Sequence, residues 1–129
     1  ETQCIYIAKM ANPWTLGSER VKISMPELEW ERKYMNPDGS TPPYIIYVNE
    51  GPQPLKSPDG KLIHVIYSAS GCWTPYYALG CLTADADADL LDTSVRYLRT
   101  FAVSGPFCTI FLLWITSFAS ADTLRQVWL

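Results

Sequence analysis

Glu50 closes the apolar run Tyr44-Ile45-Ile46-Tyr47-Val48-Asn49 and is followed at once by Gly51-Pro52. A lone carboxylate at the end of a rigid strand can exchange a proton with whatever lies beyond the sheet, and catalytic side chains are often mounted in this way. The strand is expected because β-branched and aromatic side chains fit a pleated surface. Pro52, which cannot donate to a ladder, is expected to end it at or near Glu50. Position alone favours the plainer reading, a solvated glutamate at a strand end.

Composition narrows the classes. The chain has 129 residues, 48% hydrophobic and 18% charged, with a net charge of −3. This is the make-up of an ordinary globular domain. Ten Lys and Arg with no basic cluster exclude the concentrated positive footprint of a nucleic-acid surface, so no nucleic-acid partner is expected. Five Trp and eight Tyr supply rings that can stack on sugars or flat ligands, although such rings more often fill cores. Cys4, Cys72, Cys81 and Cys108 show no zinc-ligand spacing, so neither a metal nor another cofactor is expected. Cys72 and Cys81 flank a turn and read equally as a disulfide or as two free thiols. The chain opens on Glu1 without a basic-then-apolar leader pattern, so a signal peptide is not expected within it.

The elements that must position Glu50 are short. Strands are expected near Cys4–Lys9, Val21–Ser24, Tyr44–Asn49, Lys61–Ala69 and Tyr77–Thr83, separated by Asn12-Pro13, Asn36-Pro37-Asp38-Gly39 and Ser57-Pro58-Asp59-Gly60 turns. An antiparallel all-β fold follows, and periodicity does not choose among sandwich, barrel and propeller. Asp85, Asp87 and Asp89 alternate with Ala like the opening of a calcium loop, but Leu90 and Arg96 stand where Gly and Glu are required. They read as a solvated loop with an N-cap for a short helix through Leu90 and Leu91. Thr100 to Ala121 carries no charge, and Phe107 to Phe118 is almost wholly apolar. This run reaches the threshold length for a membrane span, but its Gly-Pro, Ser and Thr residues weigh against one.

Three blocks carry a resemblance. They are Ile5-Tyr6-Ile7-Ala8-Lys9-Met10-Ala11-Asn12-Pro13-Trp14, then Val48-Asn49-Glu50-Gly51-Pro52, then Tyr67-Ser68-Ala69-Ser70-Gly71-Cys72-Trp73-Thr74-Pro75 continuing through Leu79-Gly80 to Asp87. In order and spacing they resemble glycoside hydrolase family 43, in particular its α-L-arabinofuranosidases, over roughly Ile5 to Asp92. The resemblance implies part of a five-bladed β-propeller with its active site at the mouth of the central channel. It also implies an inverting, extracellular enzyme acting on arabinose-containing plant cell-wall polysaccharide, with β-xylosidase action or non-catalytic carbohydrate binding as alternatives. Glu50 takes the general acid's place in this comparison. Trp73 and Cys72 are the substrate-binding candidates, Trp73 by stacking on a sugar. Trp14 and Trp30 are expected to pack instead.

The chain also departs from that family. Its base and its acid-tuning aspartate normally precede the acid, yet Asp38 is the one aspartate before Glu50 and lies in a surface turn. Five blades at about 40 to 50 residues each need roughly 200 to 250 residues. Residues 1–92 therefore read as a partial propeller that is inactive by itself, and residues 93–129 as an atypical apolar segment, helical in part, outside the resemblance. His64, inside a strand, is expected to be structural.

Overall fold

The computed structural model describes residues 1–95 and 97–104. In chain order these form β1 (Thr2–Gln3), β2 (Ile5–Ile7), β3 (Met10–Asn12), β4 (Thr15–Leu16), β5 (Val21–Ser24), one 3₁₀ turn (Glu29–Glu31), β6 (Tyr47–Lys56), β7 (Leu62–Ala69), β8 (Ala78–Asp85) and β9 (Leu98–Ser104). The all-β expectation holds for the described residues. Strands β6 to β9 form an antiparallel meander, and β1 adds to β6 in parallel for two residues, Thr2 beside Tyr47 and Gln3 beside Val48. The pairs β2–β5 and β3–β4 are separate two-stranded sheets.

Strand β6 departs from the expected bounds at both ends. Tyr44 and Ile45 follow Pro42-Pro43, stay exposed and lie outside the strand, and the Glu1 ammonium donates to the Ile45 carbonyl at 3.1 Å. At the other end the strand passes Glu50 and Pro52 and runs to Lys56. Two features make this tolerable. The register jumps from Glu50 opposite Ser68 to Gln53 opposite Ile66, so Gly51 and Pro52 bulge out against the single residue Tyr67. Beyond Val48, moreover, β6 has no described neighbour on its outer side, so the missing proline donor falls on an edge. Gly51, at φ +59°, supplies the left-handed conformation the bulge requires.

One face of the meander makes the core. Val65, Tyr67, Ala69 and Leu82 pack with Ile5, and Ile23, Trp30 and Tyr97 close over them. Burying side chains of this size contributes about 1.5–3 kcal/mol each. Tyr67 lies across from Gly80, where an added Cβ would collide with the Tyr67 ring and with Trp30. The glycine is the gap into which both rings fit. The rings stand 6.3 Å apart, tilted by 31°.

Other expectations resolve locally. Residues after Asp85 turn without forming a helix: Asp89 accepts from the Leu91 N–H at 3.2 Å and Asp92 from the Ser94 N–H at 2.8 Å, side-chain turns that compete with a helical start. Cys4, Cys72 and Cys81 are free thiols. Cys81 lies opposite Ile66, whereas Cys72 sits in the loop beyond Ala69, so the two do not face each other across strands. The meander continues beyond Asp92 through β9, which pairs with β8 from Leu98 opposite Thr83 to Ser104 opposite Ala78. The apolar run Phe107 to Phe118, with the helix and membrane span considered for it, lies outside the described residues, as does Cys108. Among the described residues no helix is long and apolar enough to cross a membrane.

Candidate functional site

Glu50 and the loop Ser70–Tyr77 occupy the same end of the sheet, because Asn49 pairs with Ala69, Glu50 with Ser68, and Ala69 with Ala78. Alternation along β6 sends neighbouring side chains to opposite faces. Asn49 points into the core and is fully buried, while Glu50 is half-buried on the other face. The Glu50 carboxylate makes no hydrogen bond or ion pair with any described residue.

What fixes Asn49 is a second carboxylate. Asn49 Nδ2 donates to Ser24 Oγ at 3.0 Å and to Glu31 Oε1 at 3.2 Å. Glu31, at 0% exposure, also accepts from the Tyr67 hydroxyl at 2.7 Å, from the Glu27 and Leu28 N–H groups at 3.0 and 2.9 Å, and from Arg99 Nη1 at 3.1 Å. Burial by itself pushes the Glu31 carboxyl up. The Tyr67 hydroxyl, the Leu28 and Glu27 N–H groups and Arg99 outweigh that penalty and hold it below its ordinary value. Burial and the adjacent Glu31 charge push the Tyr67 hydroxyl up, which keeps it a proton donor. A perturbed carboxylate often marks a reactive site, but full burial and five donors account for Glu31 as a structural anchor.

The loop at the rim is braced against residues 30–34. Ser70, fully buried at φ +67°, accepts from the Lys33 N–H at 3.1 Å, donates to the Trp30 carbonyl at 2.7 Å, and gives its own N–H to the Val48 carbonyl at 3.0 Å. A left-handed serine costs on the order of 1 kcal/mol or more, and these bonds hold it there. Gly71 returns an N–H to the Lys33 carbonyl at 3.2 Å. Trp73 Nε1 donates to the Tyr34 carbonyl at 3.2 Å, and its six-membered ring lies over Gly71, where a Cβ would come within 2.5 Å of Cε2 and Cζ2. Trp73 nevertheless stays 39% exposed. Cys72, beside it, is exposed too.

The structure thus gathers Glu50, Cys72 and Trp73 at one end of the sheet. Asp38 is engaged in its own turn, accepting from the Ser40 hydroxyl at 2.6 Å and N–H at 2.9 Å. His64 sits on the strand face with Nδ1 2.9 Å from Thr83 Oγ1. Trp30 packs as expected, whereas Trp14 stands 84% exposed at the tip of the β3–β4 hairpin. Among the described residues no group of three His, Cys, Asp or Glu is placed to hold a metal ion. Sequence reasoning missed Glu31 and Asn49. The signal was present in Trp30-Glu31, a charge beside a core aromatic, and in the asparagine inside an apolar strand.

Among the described residues this is an all-β unit in which Glu50, a carboxylate without a described partner, lies beside an exposed aromatic loop, and the relatives it matches are named arabinofuranosidases. No protein-family model matches the chain. It is 41% identical over 91 residues to an extracellular exo-alpha-(1->5)-L-arabinofuranosidase of Streptomyces avermitilis, covering 70% of this chain and 16% of the relative. It is 38% identical over 89 residues to a protein of the same name from Streptomyces chartreusis, 68% of this chain and 23% of the relative. To alpha-L-arabinofuranosidase 43 of Humicola insolens it is 40% identical over 93 residues, 71% of this chain and 16% of the relative. The crystal structure of an alpha-L-arabinofuranosidase from Lactobacillus brevis superposes with a TM-score of 0.60 at 42% identity, over 76% of this chain and 26% of that one. The chain therefore spans about a sixth to a quarter of the length of the curated relatives it matches.

Proposed function

We infer that this chain carries the general-acid portion of an α-L-arabinofuranosidase of glycoside hydrolase family 43. The unit belongs to a five-bladed β-propeller whose other carboxylates come from outside the described residues, and it acts outside the cell on arabinose-containing polysaccharide. The observation that carries this reading is Glu50 itself, a carboxylate with no described partner, set on an edge strand by the Gly51-Pro52 bulge beside the Trp73 loop.

The chemistry follows from that placement. A general acid must hold a proton at working pH and deliver it to the leaving glycosidic oxygen, which requires a proton affinity raised by burial or by a neighbouring carboxylate. In an inverting enzyme a second carboxylate, roughly 6.5 to 9.5 Å away, activates water on the far side of the sugar. The edge position leaves Glu50 open on the side where such partners would stand. Trp73, pinned through Nε1 and backed by Gly71, offers its other ring face to the sugar. Cys72 forms part of the same rim.

Without the partner carboxylates the 129-residue chain is expected to release no arabinose from an aryl α-L-arabinofuranoside. Steady release proportional to enzyme concentration, abolished by Glu50→Gln, would show that the chain already holds every carboxylate the reaction needs and would sink the partial-site reading. The exposed Trp73 ring also suits a purely carbohydrate-binding role, which sugar binding without any turnover in a completed enzyme would favour.

A further inference from the structure

The face of the meander turned away from the core carries a cluster of a different kind. His64 on β7 stands directly opposite Thr83 on β8, and Cys81, opposite Ile66, is two residues from Thr83. Alternation along the strands sends His64, Cys81 and Thr83 to one side and the core residues Val65 and Leu82 to the other. All three side chains are half-buried, held by their neighbours yet open to solutes. Because the pairing runs across two strands, the spacing of cysteines along the chain does not reveal it.

The heteroatoms of the three side chains converge. Thr83 Oγ1 is 2.9 Å from His64 Nδ1 and 3.6 Å from Cys81 Sγ, and Sγ is 4.0 Å from Nδ1. The centre of that triangle lies about 2.1 Å from each corner, while zinc bonds run to about 2.0–2.2 Å for nitrogen and oxygen and about 2.3 Å for sulfur. An ion slightly above the plane of the three atoms meets these lengths with neither strand moved. The donor set decides the kind of ion. Thiolate and imidazole suit zinc and its softer neighbours, whereas one hydroxyl oxygen is too little for calcium or magnesium.

We propose that Cys81, His64 and Thr83 form a binding site for a thiophilic divalent cation of zinc's class, which joins β7 to β8 and leaves its fourth position to water. On binding, the Cys81 thiol gives its proton to solvent and the sulfur–metal bond forms. His64 binds through the Nδ1 lone pair with its proton on Nε2, and the Thr83 hydroxyl turns from the ring to the ion. The proposal rests neither on Glu50 acting as an acid nor on sugar binding at the rim.

Titration of the reduced 129-residue protein with Co²⁺ tests the proposal, because a thiolate–cobalt bond gives a charge-transfer band that imidazole and hydroxyl ligands do not. One equivalent should bind, and Zn²⁺ should displace it. Cys81→Ser should abolish the band and His64→Gln should weaken binding about tenfold or more, while Cys4→Ser changes neither. A second measurement needs no variant to fold. Saturating Zn²⁺ should slow iodoacetamide alkylation of Cys81 in the parent protein about tenfold or more, read by peptide mass, and leave Cys4 and Cys72 at their metal-free rates. A band that survives Cys81→Ser, equal zinc protection of Cys72 and Cys81, or no binding by the parent protein overturns the proposal.

Discussion

The Tyr67 hydroxyl donates to the Glu31 carboxylate at 2.7 Å, joining the middle of the meander to the segment that precedes Glu50's strand. Around that bond the chain closes three long loops, because Asn49, Arg99 and Tyr67 reach the same carboxylate from 18, 68 and 36 residues away. Arg99 belongs to β9, so residues beyond Asp92 supply the cation for a carboxylate that orients the residue next to Glu50.

Removing the carboxylate should be severe. Glu31→Ala leaves the Tyr67 hydroxyl and two N–H groups without their acceptor and takes from Arg99 its buried carboxylate, leaving it the Met25 carbonyl and the exposed Glu27 carboxylate; loss of one partner from a buried ion pair costs about 3–5 kcal/mol. Urea unfolding followed by tryptophan fluorescence should show a loss of that size. Glu29→Ala, whose carboxylate is exposed, should stay within about 0.5 kcal/mol of the parent. Equal effects of the two would remove Glu31 from its place as anchor.

Acid should unfold the protein through the same group. The folded carboxyl of Glu31 is held below its ordinary 4.5, so its contribution is fully present above that value and is lost as pH falls through the lower folded value. The urea midpoint should therefore drop below about pH 4.5, and more steeply in the parent than in Glu31→Gln, which has no such proton to take up. Parallel midpoint curves for the two proteins would contradict the assignment.

Gly71→Ala tests the backing of Trp73. A methyl group there would meet the indole within 2.5 Å, so the ring must leave the loop and give up its bond to Tyr34. Acrylamide should quench more of the tryptophan fluorescence in this variant than in the parent, and arabino-oligosaccharide affinity should fall several-fold with little change in the unfolding midpoint. Unaltered quenching and affinity would mean that the ring does not depend on Gly71.

Strands β5, β7 and β8 were legible in the sequence because β-branched and aromatic runs between Pro, Gly and Asp turns leave few alternatives. Strand β6 runs past its expected end for a definite reason. Pro52 forbids a paired central strand, but a bulge with Gly51 in a left-handed conformation on an open edge lets the strand continue. Glu50, Cys72 and Trp73 are site candidates through the family resemblance, and the register of β6, β7 and β8 is what brings them to one end of the sheet. The Glu31 network could not be assembled from the sequence, because its members are far apart along the chain: a charge beside Trp30 and an asparagine in an apolar strand flag two of them, but only the folded register shows Asn49, Tyr67 and Arg99 on one face. The helix expected after Asp89 lost to side-chain turns of the same aspartates.

The central claim is that Glu50 stands in the place of a general acid, and the most direct measurement transplants it into a complete enzyme. Residues 5–92 replace the matching stretch of the Streptomyces avermitilis relative, and kcat/KM is compared for the chimera and its Glu50→Gln form on an α-1,5-arabino-oligosaccharide and on 4-nitrophenyl α-L-arabinofuranoside. With a poor leaving group the loss should be about a hundredfold or more, and with nitrophenolate, which departs without a proton, much smaller. Equal losses on the two substrates, or none on either, would contradict the acid role.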